Sequence, residues 1–505
     1  MKKRRALLSV SDKRGIVEFA KGLQALNFEI ICTDGVFNAL HASGVKALRV
    51  SDVTGFSEIL DGRVKTLHPH IHAGILALRD SPAHMEQISS LNILPIDLVA
   101  VNLYPFKENG EIDIGGPAML RAAAKNYRHV TTVVYPDNYE QVLKALKEQG
   151  EVDKALNFEL AIKAFEHTAH YDAMVAQGLQ QGLKEQNPFP NLLTLTYEKV
   201  QDMRYGENPH QRAALYKEVF VDFGTVQIHG KELSFNNIND AHGALELLQE
   251  YNEPTIVACK HATPCGVASG NSILDAYRKA YAADPVSIFG GIVAANNIID
   301  EETAAEMANT FLEVILAPGF TKEALGILTQ KKNIRLLTLM QNSSAPKNIN
   351  FKKIPGGLLV QETDDILLDT KQTFHTATKR APSEAEKEDL LFAWKIAKYV
   401  KSNGIAICKN KQSVGIASGH TSRIMACRQA IMANDQNNLE KNALRGAVLA
   451  SDAFFPFPDC VEEAAAAGIT AIIQPGGSMR DEESINACNK YDIAMVLTGI
   501  RHFLH

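Results

Sequence analysis

At 505 residues the chain is too long for one hydrophobic core, and ordinary domain sizes predict roughly two to four. Hydrophobic residues make up 46% and charged residues 22%, the balance of a soluble globular protein. No run of about 18 apolar residues appears, which argues against a membrane span. The formal net charge of −6 leaves no global basic field for a nucleic-acid backbone, although local Lys and Arg can still hold a small anion.

The chain opens on Met1-Lys2-Lys3-Arg4-Arg5, but Ser9, Ser11, Asp12, Lys13 and Arg14 interrupt the following apolar stretch too early for the core of a signal peptide. Strands are expected at Ala6–Val10, Phe28–Thr33, Leu98–Leu103 and Val130–Val134, with helices at Gly15–Leu26, Val36–Ala42 and Pro117–Asn126. This alternation predicts a parallel α/β sheet with helices on its faces, whose ligands sit beyond the carboxyl ends of the strands. The polar segments Ser9–Arg14 and Cys32–Gly35 both fall where a strand ends. Gly62-Arg63-Val64-Lys65-Thr66 places two cations and a hydroxyl on a glycine-led turn, and Asn102-Leu103-Tyr104-Pro105-Phe106 follows a strand. Asp113-Ile114-Gly115-Gly116-Pro117 leads into a helix carrying Arg121 and Lys125 one turn apart on one face. Pro117 suits a first helical position, where free backbone N–H groups favour an anion. Each basic site taken alone also fits a solvated surface charge.

A helical pattern from Val152 to Gly182 ends in Lys-Glu-Gln-Asn-Pro-Phe-Pro at 184–190, where two prolines after a polar run mark the best domain boundary. Strands and helices alternate again through Thr255–Cys259, Ala276–Ala282, Ile292–Ala295 and Val314–Ala317. The polar region Met340–Lys353, ahead of Gly356–Val360, and the stretch Thr370–Ala385 are further candidate breaks. A loose duplication of one α/β unit after residue 190 stays open. The seven cysteines, Cys32, Cys259, Cys265, Cys408, Cys427, Cys460 and Cys488, are an odd, scattered set without C-x-x-C, which fits a reducing cytosol better than a disulfide framework.

The densest chemistry is Lys260-His261-Ala262-Thr263-Pro264-Cys265-Gly266, directly after the apolar run Ile256–Cys259. An unperturbed imidazole can take a proton at neutral pH, and a neighbouring Lys can stabilise an oxyanion. The plain alternative is a surface turn with a buried cysteine. A zinc deaminase needs H-x-E followed by P-C-x-x-C, but position 263 is Thr and position 268 is Ala, so zinc is disfavoured. A Cys265 nucleophile with His261 as base stays possible, though buried structural cysteines are commoner. The same half holds Arg204-Tyr205-Gly206-Glu207-Asn208-Pro209-His210-Gln211, the turn Asp284–Gly291 with Phe289 and Gly290, and Lys401-Ser402-Asn403. Ser451-Asp452-Ala453-Phe454-Phe455-Pro456-Phe457-Pro458-Asp459 could stack a flat heterocycle and read its edge, or supply plain core. Gln474-Pro475-Gly476-Gly477-Ser478 is another turn of backbone donors, and the end Arg501-His502-Phe503-Leu504-His505 is composed like a docked terminus rather than a frayed one.

Together these segments closely resemble the AICAR transformylase/IMP cyclohydrolase family of bifunctional purine-biosynthesis enzymes. Lys-His-x-x-Pro-Cys-Gly, Arg-Tyr-Gly-x-Asn-Pro-His-Gln, Ser-Asp-Ala-Phe-Phe-Pro-Phe and Gln-Pro-Gly-Gly-Ser carry the resemblance, in this order, over nearly the whole chain. It implies a methylglyoxal-synthase-like parallel α/β domain over residues 1–187, followed by a transformylase domain over 188–505. The latter would hold two cytidine-deaminase-like α/β subdomains without zinc, divided somewhere in 340–385. The implied reactions are formyl transfer from 10-formyltetrahydrofolate to the 5-amino group of AICAR, then closure of FAICAR to IMP with loss of water. A cytoplasmic homodimer with transformylase sites at its interface is implied, without nucleic acid or membrane; a monovalent cation is left open.

By the same resemblance His261 accepts the proton and Lys260 stabilises the tetrahedral oxyanion, with Asn403 and His505 close to the reacting centre. Arg204, beside Tyr205, and Arg501 hold the ribose phosphate, while Phe289, Gly290, Phe454, Pro456, Phe457 and Asp459 face the folate. In the first domain Lys65, Tyr104, Asp113 and Lys125 match catalytic positions, with Asp113 removing the proton and Lys65 or Lys125 holding the oxyanion. Ser9, Ser11, Lys13, Thr33, Arg63, Thr66, Asn102, Gly115 and Gly116 match substrate contacts. The sequence departs from the family at Ala417-Ser418-Gly419-His420, expected to be richer in glycine and to end in Gln, and at His242. It also has Thr33-Asp34-Gly35-Val36 where Thr-Gly-Gly-Thr is expected, and a short connection from Phe106 to Asp113. A carboxylate at a phosphate loop repels the ligand, so the alternative is a transformylase with a degenerate cyclohydrolase domain.

Overall fold

The computed structural model describes residues 4–106, 112–181, 188–219, 221, 223–339, 349–368, 375–436 and 443–505. The basic residues 1–3, most of the short connection (107–111), the polar run 184–187 and the parts 340–348 and 370–374 of the two later breaks lie outside them. Two units, Met1–Thr196 and Tyr197–His505, hold separate cores.

The first unit runs β1 (Arg4–Val10), α1 (Ile16–Ala25), β2 (Phe28–Cys32), α2 (Asp34–Ala42), β3 (Leu48–Arg49), α3 (Val50–Thr54), α4 (Pro69–Leu76) and α5 (Pro82–Ser90). It continues with β4 (Leu98–Asn102), α6 (Gly115–Lys125), β5 (Thr131–Val133), α7 (Tyr139–Gln149) and α8 (Lys154–Gln181). The five strands are all parallel in the order β3-β2-β1-β4-β5. The period of two along β1 fills both faces. Ala6, Leu8 and Val10 pack with α1, α2 and α7, while Leu7 joins Ile31, Val99 and Val101 against α4, α6 and α8. Strand order reverses between β1 and β4, which opens a crevice at their carboxyl ends. Helix α6 starts two residues earlier than expected, at Gly115, because the Asp113 carboxylate accepts the N–H of Gly116 at 2.8 Å and closes the first turn.

The second unit begins with β6 (Tyr197–Met203), β7 (Ala213–Glu218) and β8 (Thr225–His229). A block follows of α9 (Phe235–Leu248), β9 (Thr255–Lys260), β10 (Thr263–Ser269), α10 (Ile273–Ala283), β11 (Ile292–Ala295), α11 (Glu301–Ala308), β12 (Val314–Ala317), α12 (Lys322–Leu328) and β13 (Arg335–Leu339). After the hairpin β14 (Ile349–Ile354) and β15 (Gly357–Glu362), and β16 (His375–Thr376), the block recurs. Its second copy is α13 (Glu384–Lys398), β17 (Ile405–Lys409), β18 (Gln412–Ala417), α14 (Arg423–Gln436), β19 (Val448–Ser451), α15 (Asp459–Ala467), β20 (Ala471–Gln474), α16 (Asp481–Lys490) and β21 (Ala494–Leu497).

The two copies share one twelve-stranded mixed sheet, β16-β21-β20-β19-β17-β18-β10-β9-β11-β12-β13-β8, joined where β10 meets β18. Helices α9 and α13 cover one face together, α10–α12 and α14–α16 the other. The duplication extends to single residues: the same spacing separates Ser234 from Ser383, which both cap their helix in a capping box, and Asp240 from Asp389. Part of the expected polar break at 340–353 is a β-hairpin. No helix among the described residues is long and apolar enough to cross a membrane.

Candidate active sites

Strand β9 ends at Lys260 and β10 begins at Thr263, so His261 and Ala262 form a two-residue hairpin turn. Both adopt left-handed backbone, φ 56° and 53°, a conformation this turn requires and non-glycine residues resist by about 1–2 kcal/mol each. Asp240 on α9 offsets that cost: its two carboxylate oxygens accept the N–H groups of His261 (3.1 Å) and Ala262 (2.8 Å). Such charge-assisted bonds contribute roughly 1.5–3 kcal/mol each. The result is a fixed turn that presents an exposed imidazole to a cavity of about 260 Å³, lined also by Lys260, Thr263, Cys265, Ser287 and, from the second copy, Ser413 and Ser418. Lys260 Nζ donates to the carbonyl of Phe289 (2.9 Å), which brings the exposed Phe289 ring and the Gly290 turn beside the Lys–His pair. Burial pushes the Cys265 thiol up to about 12, and its Sγ lies 3.4 Å from the Ala258 carbonyl. A thiol so held is not ionised near neutral pH, which removes the case for a Cys265 nucleophile.

Asn403 sits in a second cluster. Its Nδ2 donates to the His420 carbonyl (2.9 Å) and its Oδ1 accepts from Arg423 (2.7 Å), whose buried guanidinium pairs with the fully buried Asp452. His420, one of the departures from the family, meets Asn403 through its backbone alone. The carboxyl terminus is docked here. Ser402 N–H donates to the Leu504 carbonyl (2.8 Å), His502 N–H donates to the Asp452 carbonyl (2.9 Å), and the buried His502 ring lies against Trp394 and Asp364. This fixes Arg501, whose guanidinium lies 4.2 Å from the Phe503 ring centre, and His505 on the same tail. The aromatic segment divides: Phe455 is core, whereas Phe454 and Phe457 are exposed, with Pro456 half-buried between them and Asp459 opening α15.

Arg204 and Tyr205 stand on the loop after β6, cation over ring at 5.0 Å, a loop pinned by Asn208 and Gln211. Among the described residues, no hydrogen bond or ion pair joins the Lys260–His261 group, the Asn403–His505 group and the Arg204 loop to one another.

In the first unit the switch-point crevice collects most of the expected residues. Thr33 Oγ1 donates to Ser9 Oγ at 3.2 Å. Asn102 is buried, and its amide is committed to the β1 loop: Oδ1 accepts the N–H groups of Ser11 (2.7 Å) and Asp12 (2.8 Å), and Nδ2 donates to the Asp12 carbonyl (3.2 Å). Asn102 therefore shapes the loop that carries the exposed Lys13. Burial raises the Asp113 carboxyl above the usual carboxylate range; the Gly116 N–H, the Lys65 charge and the Tyr104 backbone pull it down without reversing the shift. Tyr104, Lys65 and Arg63 are exposed beside it, and Thr66 is buried. Gly116 leaves no room for a side chain, since a Cβ would stand 2.7 Å from Asp113 Oδ2 and 2.5 Å from Leu103; Gly115 precedes it on the first turn of α6. Lys125 lies at the other end of α6, about 15 Å of helical rise from Gly115. Arg121 turns toward the Phe165 ring, 5.7 Å away. The Asp34 carboxylate is met by Arg49 at 3.5 Å, and Val36 is fully buried in the core.

Sequence reasoning missed Asp240 and Arg423, whose roles are to hold other residues. The one signal available was the constant spacing between the two copies, which pairs Asp240 with Asp389, itself accepting the N–H groups of Asn410 and Lys411 in the matching turn.

A family model described as the AICARFT/IMPCHase bienzyme matches residues 123–433, and an MGS-like domain model matches residues 15–128. The bifunctional purine biosynthesis protein PurH of Acetivibrio thermocellus is 56% identical over 99% of this chain and all of its own length. The PurH of Ruminiclostridium cellulolyticum is 53% identical over 99% and 100%, and that of Bacillus thuringiensis 51% identical over the whole of both.

Proposed function

This chain belongs to the AICARFT/IMPCHase bienzyme family, and on that premise we propose how its residues carry two reactions. It is a bifunctional enzyme that formylates the 5-amino group of AICAR and then closes FAICAR to IMP with loss of water, the last two steps of purine biosynthesis. We assign formyl transfer to the second unit and cyclisation to the first, with 10-formyltetrahydrofolate as formyl donor and the cytoplasm as the site of action.

In formyl transfer the amine nitrogen attacks the formyl carbon, and His261 takes the proton that the amine loses. Lys260 stabilises the negative oxygen until the carbon–nitrogen bond to the folate breaks and that nitrogen is protonated. The carrying observation is the held turn: an exposed imidazole beside an ammonium at a cavity, kept in left-handed backbone by Asp240. The exposed faces of Phe454 and Phe457, with Pro456 and the Asp459 carboxylate, fit a flat heterocycle with donors along its edge. Arg204, Tyr205 and Arg501 are assigned to the ribose phosphate, and Asn403 and His505 to the reacting centre. Because these residues fall into separate groups within one chain, we assign the complete site to two copies of it. The exposed ribbons β6–β7 and β14–β15 support this, since a two-stranded ribbon is barely stable in water without a partner.

In cyclisation the carboxamide nitrogen attacks the formyl carbon of the same molecule, so holding the reactive conformer contributes much of the rate. Asp113, raised by burial, is suited to take the amide proton, and Lys65 beside it to stabilise the oxyanion. Lys125 acts on a more distant part of the substrate or from a second copy. Ser9, Ser11, Lys13, Thr33, Arg63, Thr66 and the N–H groups of Gly115 and Gly116 are assigned to phosphate and base.

The test supplies AICAR and formyl folate and follows FAICAR and IMP separately. Both products in sequence are expected. FAICAR accumulating with only its spontaneous closure would remove the cyclohydrolase assignment, and no product would remove both.

A further inference from the structure

We infer that Tyr171, on α8, is a positioning residue for cyclisation: its hydroxyl accepts the backbone N–H of Asp113 at 2.8 Å and sets where that carboxylate stands. The inference rests on the reading of Asp113 as the proton acceptor. Asp113 is then fixed at two points, its main chain by Tyr171 and its side chain by the Gly116 N–H at the start of α6. Both anchors come from helices of the scaffold.

The same face of α8 holds the segment on the other side of that connection. A Cβ on Gly178 would overlap the ring of Phe106, so the missing side chain at 178 is what makes room for the edge of that ring against the helix. Tyr171 and Gly178 are two helical turns apart and therefore share one face. Tyr171 and Phe106 are both almost fully buried, in one cluster with Leu103 and Met119, and Val175 packs on its edge between them. The segment carrying Tyr104 thus enters the site over Gly178, and the chain carrying Asp113 re-enters it over Tyr171. Helix α8 therefore holds both segments, one at Gly178 and the other at Tyr171.

The hydroxyl's part can be separated from packing. Removing it leaves the Asp113 N–H without its partner, a penalty that the chain can relieve by moving. A displacement of about 1 Å at a catalytic group can cost on the order of 100-fold in rate. Substrate affinity, set by Ser9, Lys13, Thr33 and Arg63 on other strands and loops, is left in place.

The experiment measures cyclisation of added FAICAR by the full chain, with formyl transfer assayed in parallel. Tyr171→Phe is expected to lower the cyclisation kcat by roughly 10-fold or more, with KM within about twofold and formyl transfer unchanged. Val175→Ala, which thins the same helix face without touching Asp113, is expected to lower the melting temperature and spare kcat. If Tyr171→Phe does not fold, Gly178→Ala asks the same question through the other anchor, and the same selective loss of kcat is expected. An unchanged kcat in the folded variant overturns the inference. So does a loss that Val175→Ala reproduces, or one in which kcat, KM and formyl transfer fall together. Asp113→Asn separates the two layers. If it loses cyclisation while Tyr171→Phe does not, the inference alone fails; if it retains cyclisation, the reading of Asp113 fails with it.

Discussion

His261 was legible as an acid–base candidate because an imidazole next to a lysine at a strand end has few structural uses, and in the structure it lines a cavity. Asp240 was not legible, because an aspartate inside a helical pattern reads as a solvated charge. Its role depends on a turn 21 and 22 residues later that requires two left-handed residues without glycine. The duplicated fold supplies its own control. Asp389 clamps Asn410 and Lys411 with the same pair of bonds, at 2.8 and 2.7 Å, in a copy of the turn that has no histidine. Asp240→Ala is therefore expected to reduce the kcat of formyl transfer by roughly 10- to 100-fold, the equivalent of about 1.4–2.8 kcal/mol. Asp389→Ala should destabilise the fold to a similar degree while leaving that kcat within about threefold; steady-state rates and thermal melts of the two variants check it. The doubt raised by Asp34 is smaller in the structure than in the sequence, since Arg49 faces its carboxylate at 3.5 Å and the two side chains are both well exposed.

At the scale of elements, strong apolar runs were readable and weak ones were not. Ile292–Ala295 and Val314–Ala317 are the fully buried strands their composition suggested. The stretch from β3 to α5 gave no clear period, because β3 has only two residues and α5 is a polar surface helix held by its Ser81 cap. Helix ends were misplaced where a side chain outside the helix closes the first turn, as Asp113 does for α6. The start of α13 is anchored from two sides. Ser383 and Glu386 form its capping box, and Arg380 binds both Glu386 oxygens, at 2.9 and 2.8 Å. Burial works to raise Glu386, but hydrogen bonds from Arg380, Thr470 and the Ser383 N–H outweigh it and hold the carboxyl down to about 2, below its ordinary 4.5. A carboxyl depressed in the folded state contributes stability above its unfolded pKa and loses it as pH falls through the folded one. The contribution is thus complete above pH 4.5 and fades toward about 2. Glu386→Gln should lower the melting temperature at pH 7, and should show a weaker fall in melting temperature across that acid window than the unmodified protein; melts taken at a series of pH values decide it.

For the molecule as a whole, the parallel sheet of the first unit followed from alternation alone, whereas the mixed sheet of the second did not. Its antiparallel character comes from the tight turns at 261–262 and 410–411, which send β10 and β18 straight back along β9 and β17 and let the two copies join edge to edge. Nothing in composition distinguishes such a hairpin from a strand followed by a loop. The proposed site residues were readable as motifs, but their grouping was not, because Lys260 comes to the fold from the first copy of the block, Asn403 from the second and Arg501 from the tail after β21. Each unit nevertheless has its own core, and one acid–base residue is assigned to each. The most direct test is the pair of step rates in His261→Ala. Formyl transfer should fall by roughly 100-fold or more, while closure of added FAICAR stays within about twofold of the unmodified enzyme. Retained transfer, or loss of both steps in a protein that still melts normally, would contradict it.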